Sequence, residues 1–263
     1  MPLVDLAILV VLFFATSVVG VVTGSNSLIT VPLMFQFGID EKVAVATNMF
    51  GLTFMAIGGT IPFIRQGSID LKKLTPLVVL TIVGSAIGAL LVGLITNQAI
   101  RLIVSVAMIA IILFTIFRRD NRKPELEAVT DIDSGPGVRA SSRTTLSFVV
   151  FPAAFILAIY GGLYSGGYVT ILTAVLVAFS GMSFGQSIAA TKFINVFSSG
   201  IATLIFMWQG LVDYQLGIIL GIAMFAGAFI GAHYASRMNE AWLRAIFISA
   251  VAILAVKILI DFF

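Results

Sequence analysis

The sequence predicts an all-α integral membrane protein made of two inverted-topology repeats, each with five hydrophobic segments, the second of them short or broken. Three observations carry this. Hydrophobic residues make up 60% of the 263 positions and charged residues only 10%, whereas a soluble domain carries about 25% charged residues. With a mean hydropathy of +1.13, such a chain cannot solvate its surface in water. The same landmarks then recur 143 residues apart: Gln66-Gly67 with Asp70 returns as Gln209-Gly210 with Asp213, Gly84 and Gly88 as Gly227 and Gly231, and Arg101 as Arg244. Ala46-Thr47 returns one residue out of step, as Ala190-Thr191. Finally, a segment too short to cross a bilayer stands at the same place in both halves, each time after a polar or glycine-rich break.

In chain order the apolar segments are 3–22, 26–38, 43–64, 74–96 and 99–117, then 147–163, 167–180, 186–208, 214–236 and 242–262. A spanning helix needs about 20 apolar residues, and 26–38 and 167–180 fall short. The first is preceded by Thr23-Gly24-Ser25-Asn26-Ser27 and the second by Tyr160-Gly-Gly-Leu-Tyr-Ser-Gly-Gly-Tyr168. Short, glycine-interrupted segments at matching places in two halves point to a transporter's binding site. The competing reading is a tight turn before a short or tilted helix. Residues 118–146 are polar and turn-rich, with Arg-Arg-Asp-Asn-Arg-Lys-Pro and Ser-Gly-Pro-Gly, and read as a linker without a fold of its own. The chain thus divides into a first repeat (1–117), a linker (118–146) and a second repeat (147–263). Met-Pro-Leu-Val-Asp lacks the basic start of a signal peptide, so the first segment is expected to be retained.

The net charge of +3 does not indicate nucleic acid, because the basic residues lie in loops between apolar runs. If every segment crosses, one side collects Arg65, Lys72, Lys73, Arg118, Arg119, Arg122, Lys123, Arg139, Arg143, Arg237 and Arg244, and the other only Lys42, Arg101 and Lys257. Lys and Arg accumulate on the cytoplasmic side, which makes the linker cytoplasmic and both termini external. The assignment holds equally if segments 1–2 and 6–7 are re-entrant hairpins. Five segments per half turn the second half over, so Asp70 and Asp213 belong on opposite faces. The Gly-xxx-Gly pairs at 84/88 and 227/231 allow close helix packing, either within the protomer or between two copies as a homodimer.

The chain has no cysteine, which excludes disulfides, thiolate metal sites and cysteine nucleophiles. Ser165 lacks the Gly-x-Ser-Gly setting of an intramembrane protease, and His233 is the only available base, so no catalytic, cofactor or metal set is expected. The breaks offer different chemistry. A helix that starts inside the membrane presents free N–H groups and the positive end of its dipole, which suits an anion. Ser25, Asn26 and Ser27 stand there in the first half, and Ser165, Gly166, Gly167 and Tyr168 in the second. The third segments add Thr47 and Asn48, then Thr191, Lys192 and Asn195. Lys192 is the one clearly intrasegment cation; an ionisable residue at such a place marks function, against the alternative of snorkelling to the headgroups. Its repeat mate is read as Asn48. Asp40, Glu41, Asp70 and Asp213 all fall in loops, which favours uniport or coupling through the charge of the cargo. Trp208, Tyr214 and Trp242 sit near segment ends as an interfacial belt does.

Ala44-Val-Ala46-Thr47-Asn48, Ala189-Ala190-Thr191-Lys192 and the two Gln-Gly-x-x-Asp loops, each half led by its break, make the chain resemble the TauE/SafE sulfite exporter family. The resemblance spans both repeats; Pro32 of the first short segment has no counterpart in the second. It implies export of sulfite or a small organosulfonate across a bacterial inner membrane, with the lipid bilayer and a small anion as the partners. Two other readings of the residues stay open: a permease for an amino acid or metal, and a non-transporting scaffold or assembly factor.

Overall fold

A computed structural model describes residues 2–24, 26–67, 71–120, 148–239 and 242. Among them all regular structure is helical, with no strand: α1 (Leu3–Thr23), α2 (Ser27–Gln36), α3 (Glu41–Arg65), α4 (Leu71–Leu94), α5 (Asn97–Asp120), α6 (Val150–Leu163), α7 (Tyr168–Phe179), α8 (Phe184–Trp208) and α9 (Tyr214–Ala235). Five of these, α1, α3, α4, α8 and α9, are long and apolar enough to span a bilayer. The two short segments appear as α2, with 10 residues, and α7, with 12 residues. The segment expected over 147–163 starts as a helix only at Val150 and has 14 residues, about 21 Å at the α-helical rise. Ser25, Asp70, Arg244, the linker beyond Asp120 and the last segment beyond Trp242 lie outside the described residues.

Local chemistry sets the boundaries. The Asp40 carboxylate accepts the backbone N–H of Lys42 and Val43 and so caps α3. Ser183 and Gln186 form a reciprocal capping box on α8, and Asp213 caps α9 through the Leu216 N–H. Each satisfies donors that a helix start leaves unpaired. Among the described residues the glycines with positive φ are Gly24, Gly38, Gly67, Gly167, Gly181 and Gly210: three pairs, each 143 positions apart. α3 and α8, both 25 residues long, begin and end at the same offset. In this register Asn48 corresponds to Thr191, and Lys192 to Met49. The mate of Lys192 is therefore one residue away from the Asn48 that the shared Ala-Thr motif indicates, because caps and turns fix the register and the motif has slipped within it.

The halves interlock. α1 packs along α9 and α6 along α4, so each half supplies one helix to a pair completed by the other; α3 crosses α8 between them. Both Gly-xxx-Gly faces are used in these pairs. A Cβ on Gly88 would lie 2.0 Å from the Ile159 oxygen, and one on Gly231 would lie 2.2 Å from the Val18 oxygen. Backbone thus meets backbone within the chain, the close approach that small residues allow between membrane helices. At the crossing, the Thr53 and Thr203 hydroxyls share a hydrogen bond of 3.0 Å. Leu3, Val11, Ile156, Leu204 and Ile222 leave large apolar side chains exposed, as a surface facing lipid tails requires. With its several apolar helices, this is a multi-pass membrane protein.

Candidate functional site

The two breaks fold against each other. α1 stops where Gly24 turns left-handed, at φ 71°. A Cβ there would meet Val169 Cβ at 2.8 Å and the Thr170 nitrogen at 2.9 Å, so glycine is needed both for the turn and for the approach of α7. The last carbonyls of a helix lack partners within it. Thr170 Oγ1 supplies one by donating to the Thr23 oxygen at 2.7 Å. The Tyr164 hydroxyl, from the second break, donates to the Ser27 oxygen at the start of α2 at 3.0 Å.

Each short helix is then tied to the long helix after it by the same pair of positions. In the first half Thr30 Oγ1 donates to Asn48 Oδ1 at 2.7 Å, and Asn48 Nδ2 donates to Ser27 Oγ at 2.9 Å. In the second half Thr173 and Thr191, 143 positions further on, share a hydrogen bond of 3.0 Å. Thr47 faces elsewhere: its hydroxyl accepts the Asp213 N–H at 3.0 Å and anchors the start of α9. Ser165 is buried and its carbonyl accepts the Tyr168 N–H at 3.2 Å, closing the turn into α7. The space beside Gly166 is taken by the Tyr164 ring, 2.4 Å from where a Cβ would stand, and its oxygen accepts the Tyr160 hydroxyl. Gly167 is the left-handed N-cap of α7. Asn195 is buried on α8, one turn beyond Lys192.

Lys192 and Asn26 meet at Gly20. The Lys192 side chain is 2% exposed and runs inward past Gly59 to donate from Nζ to the Gly20 oxygen at 3.0 Å. That carbonyl already accepts the Gly24 N–H at 2.8 Å. Asn26, 3% exposed, abuts the same glycine, its Cβ 3.1 Å from where a Gly20 Cβ would be. Among the described residues neither its Oδ1 nor its Nδ2 has a partner. Burying an ammonium without a counter-charge is costly. Among the described residues no carboxylate pairs with Lys192; an ion pair of Arg101 with Glu41 lies at the starts of α5 and α3. The carbonyl end of α1 thus holds the ammonium, and the amide of Asn26 stands beside them at the start of α2.

Sequence reasoning did not single out Gly20, Tyr164, Thr170, Thr30 or Thr173. The pairing of Thr30 with Thr173 at the repeat offset was a readable signal. The Gly20 carbonyl was not, because a backbone acceptor has no letter of its own.

Residues 8–258 match the family described as sulfite exporter TauE/SafE. Among curated proteins, the chain is similar to "Probable membrane transporter protein ORF9" of Sinorhizobium sp, with 25% identity over 97% of this chain and 93% of that one. It is also similar to "Probable membrane transporter protein YfcA" of Escherichia coli K12, 25% identical over 95% of this chain and 89% of the relative. "Probable membrane transporter protein YdhB" of Bacillus subtilis is 22% identical over 92% and 95%. No solved structure matches the chain.

Proposed function

The chain belongs to the TauE/SafE sulfite exporter family of membrane transporters, and on that premise we propose that it carries a small sulfur oxyanion, sulfite or an organosulfonate, outward across a bacterial inner membrane by alternating access. The observation that supports this most is Lys192: an interior ammonium held by one carbonyl, next to the Asn26 amide, which has no partner among the described residues. In this reading an arriving oxyanion takes the lysine from the Gly20 carbonyl and accepts from Asn26, and the start of α2 adds its dipole. The ion's charge offsets the desolvation cost of the buried ammonium.

The two halves lie in opposite orientations, with the 118–146 loop cytoplasmic and the termini external. Outward movement needs no second ion, because a negative-inside potential drives anions out with about 2.3 kcal/mol per charge per 100 mV. Calorimetry on the purified protein with sulfite, taurine-like sulfonates and sulfate, wild type beside Lys192→Ala, tests the reading. Binding of one sulfur anion that the variant loses supports it. Equal binding by both removes Lys192 from the site, and no binding by wild type removes the cargo class.

A further inference from the structure

Two aromatic pairs stand at corresponding positions in the repeats and meet different neighbours. Phe50 and Phe54 on α3 have ring centroids 5.3 Å apart; Phe193 and Phe197 on α8, 143 positions later, show the same 5.3 Å. The first pair rests on glycines of α9, since a Cβ on Gly217 or Gly221 would stand 3.1 Å from a ring carbon of Phe50 or Phe54. Gly51 and Gly58 of α3 complete the contact, their notional Cβ atoms 2.6 Å from Met224 Sδ and 2.7 Å from the Phe225 oxygen. In the other seam these four positions read Leu74, Val78, Ile194 and Ile201. The contact of α4 with α8 is less extensive than that of α9 with α3, and an open cavity of about 270 Å³ lies between α4 and α8.

The geometry points to a vestibule: the α4–α8 seam admits a small anion from the Lys72 end of the bundle, and the α3–α9 seam is its closed counterpart. Lys72, Thr75, Val78, Phe193 and Phe197 line the cavity. Among the described residues its polar groups are one ammonium and one hydroxyl; this lining favours an anion over a cation. Thr81 and Ser85, three and seven residues beyond Val78, lie on its side of α4 and are buried, whereas Lys72 and Thr75 are exposed at the mouth. Deeper in, the Ser85 and Ser198 hydroxyls are 2.7 Å apart. The Tyr168 hydroxyl, at the first residue of α7, lies against Thr81 and Ser198. Neither the Tyr168 nor the Thr81 hydroxyl meets hydrogen-bond geometry among the described residues. Buried hydroxyls of α4 and α8 thus stand between Val78 and the second break. Positive-inside asymmetry puts the Lys72 end on the cytoplasmic face, where an exporter loads. The inference rests on the cargo being an anion, as proposed above. An anionic lipid headgroup offers the same chemistry at the mouth, and the test separates the two.

Because the chain has no cysteine, single cysteines report directly. Val78→Cys probes the cavity, Met224→Cys the closed seam and Ile222→Cys the apolar flank, with Thr75→Cys as a second cavity reporter should Val78→Cys fail to assemble. Each is reconstituted in zwitterionic vesicles and treated with 2-sulfonatoethyl methanethiosulfonate, itself a sulfonate, or with its cationic trimethylammonium analogue, rates being normalised to a free thiol. The cavity cysteines are expected to react, and the other two about tenfold slower or more, since a charged reagent is excluded from hydrocarbon and packed interior. Lys72→Gln is expected to lower the anionic-to-cationic rate ratio at Val78→Cys about threefold, the effect of one charge acting at short range through water. Equal reactivity at Val78→Cys and Met224→Cys, or a ratio indifferent to Lys72→Gln, overturns the vestibule. Slower labelling at Val78→Cys once anionic lipid is added assigns the mouth to a headgroup and overturns it as well. No cargo takes part in the labelling, so this result stands or falls apart from the sulfur-anion calorimetry.

Discussion

Lys192 sits where the other repeat has Met49, and both are buried. The fold therefore accepts an unbranched apolar side chain at this position, and the ammonium is an addition that the packing does not require. Lys192→Met removes a buried charge while keeping the stem. Its melting temperature is expected to hold or rise, because replacing a buried charge with an apolar side chain of similar volume is often neutral or stabilising, while anion affinity falls about tenfold or more, at least 1.4 kcal/mol. Calorimetry and thermal unfolding on the same preparation check both halves of the statement; a destabilised variant would make Lys192 a structural tie to Gly20. Asn26→Ala follows the same logic. It deletes an amide whose atoms have no partner among the described residues, a burden of about 1–3 kcal/mol, so the protein without anion should gain stability and the loaded one lose affinity. Lys192 was visible in the sequence as a charge in an apolar run. Tyr164 was not, because a tyrosine in a glycine-rich stretch reads equally as an interfacial or a packing residue until its hydroxyl is seen to reach Ser27 across the other repeat.

At the level of elements, the turns are held by glycines whose requirements differ. Gly67 and Gly24 both have positive φ, but nothing lies within 4 Å of a Cβ on Gly67, whereas one on Gly24 would collide with Val169 and Thr170. Gly67→Ala is expected to cost only the left-handed strain, about 1–2 kcal/mol. Gly24→Ala adds a displaced α7 and should lower the melting temperature clearly further. Thermal unfolding of the two variants side by side measures the difference, and equal losses would mean that α1 and α7 are not locked as described. The short second segments, the glycine breaks and the long third segments were legible because each leaves a local mark: an apolar run of a given length, a turn residue, a cap. The partner of each helix was not. Gly84-Ser-Ala-Ile-Gly88 announces a close contact, yet no local rule says that the surface filling it is α6 and not a second molecule.

Across the whole molecule, the repeat was readable from loops and turns, but the difference between the two seams was not, because the Ala-Thr motif shifts the apparent register by one. Once caps and left-handed glycines fix the offset at 143, Gly51, Gly58, Gly217 and Gly221 fall opposite Ile194, Ile201, Leu74 and Val78, and the open and closed sides follow from side-chain volume. Exchanging these residues should then exchange the sides. Leu74→Gly with Val78→Gly lets α4 settle on Phe193 and Phe197 as α9 settles on Phe50 and Phe54, at about 1 kcal/mol per glycine placed in a helix. Labelling of Thr75→Cys by the anionic thiol reagent should fall in that background. Gly221→Val acts in the opposite sense: its branches meet the Phe54 ring, 3.1 Å from the notional Cβ, and force α9 outward, so Met224→Cys should become reactive. If both changes alter labelling in these directions, the asymmetry resides in the seams. If both leave it unchanged while the variants remain folded, the seams follow a preference set elsewhere, and the crossing of α3 over α8 at Thr53 and Thr203 is the next place to look.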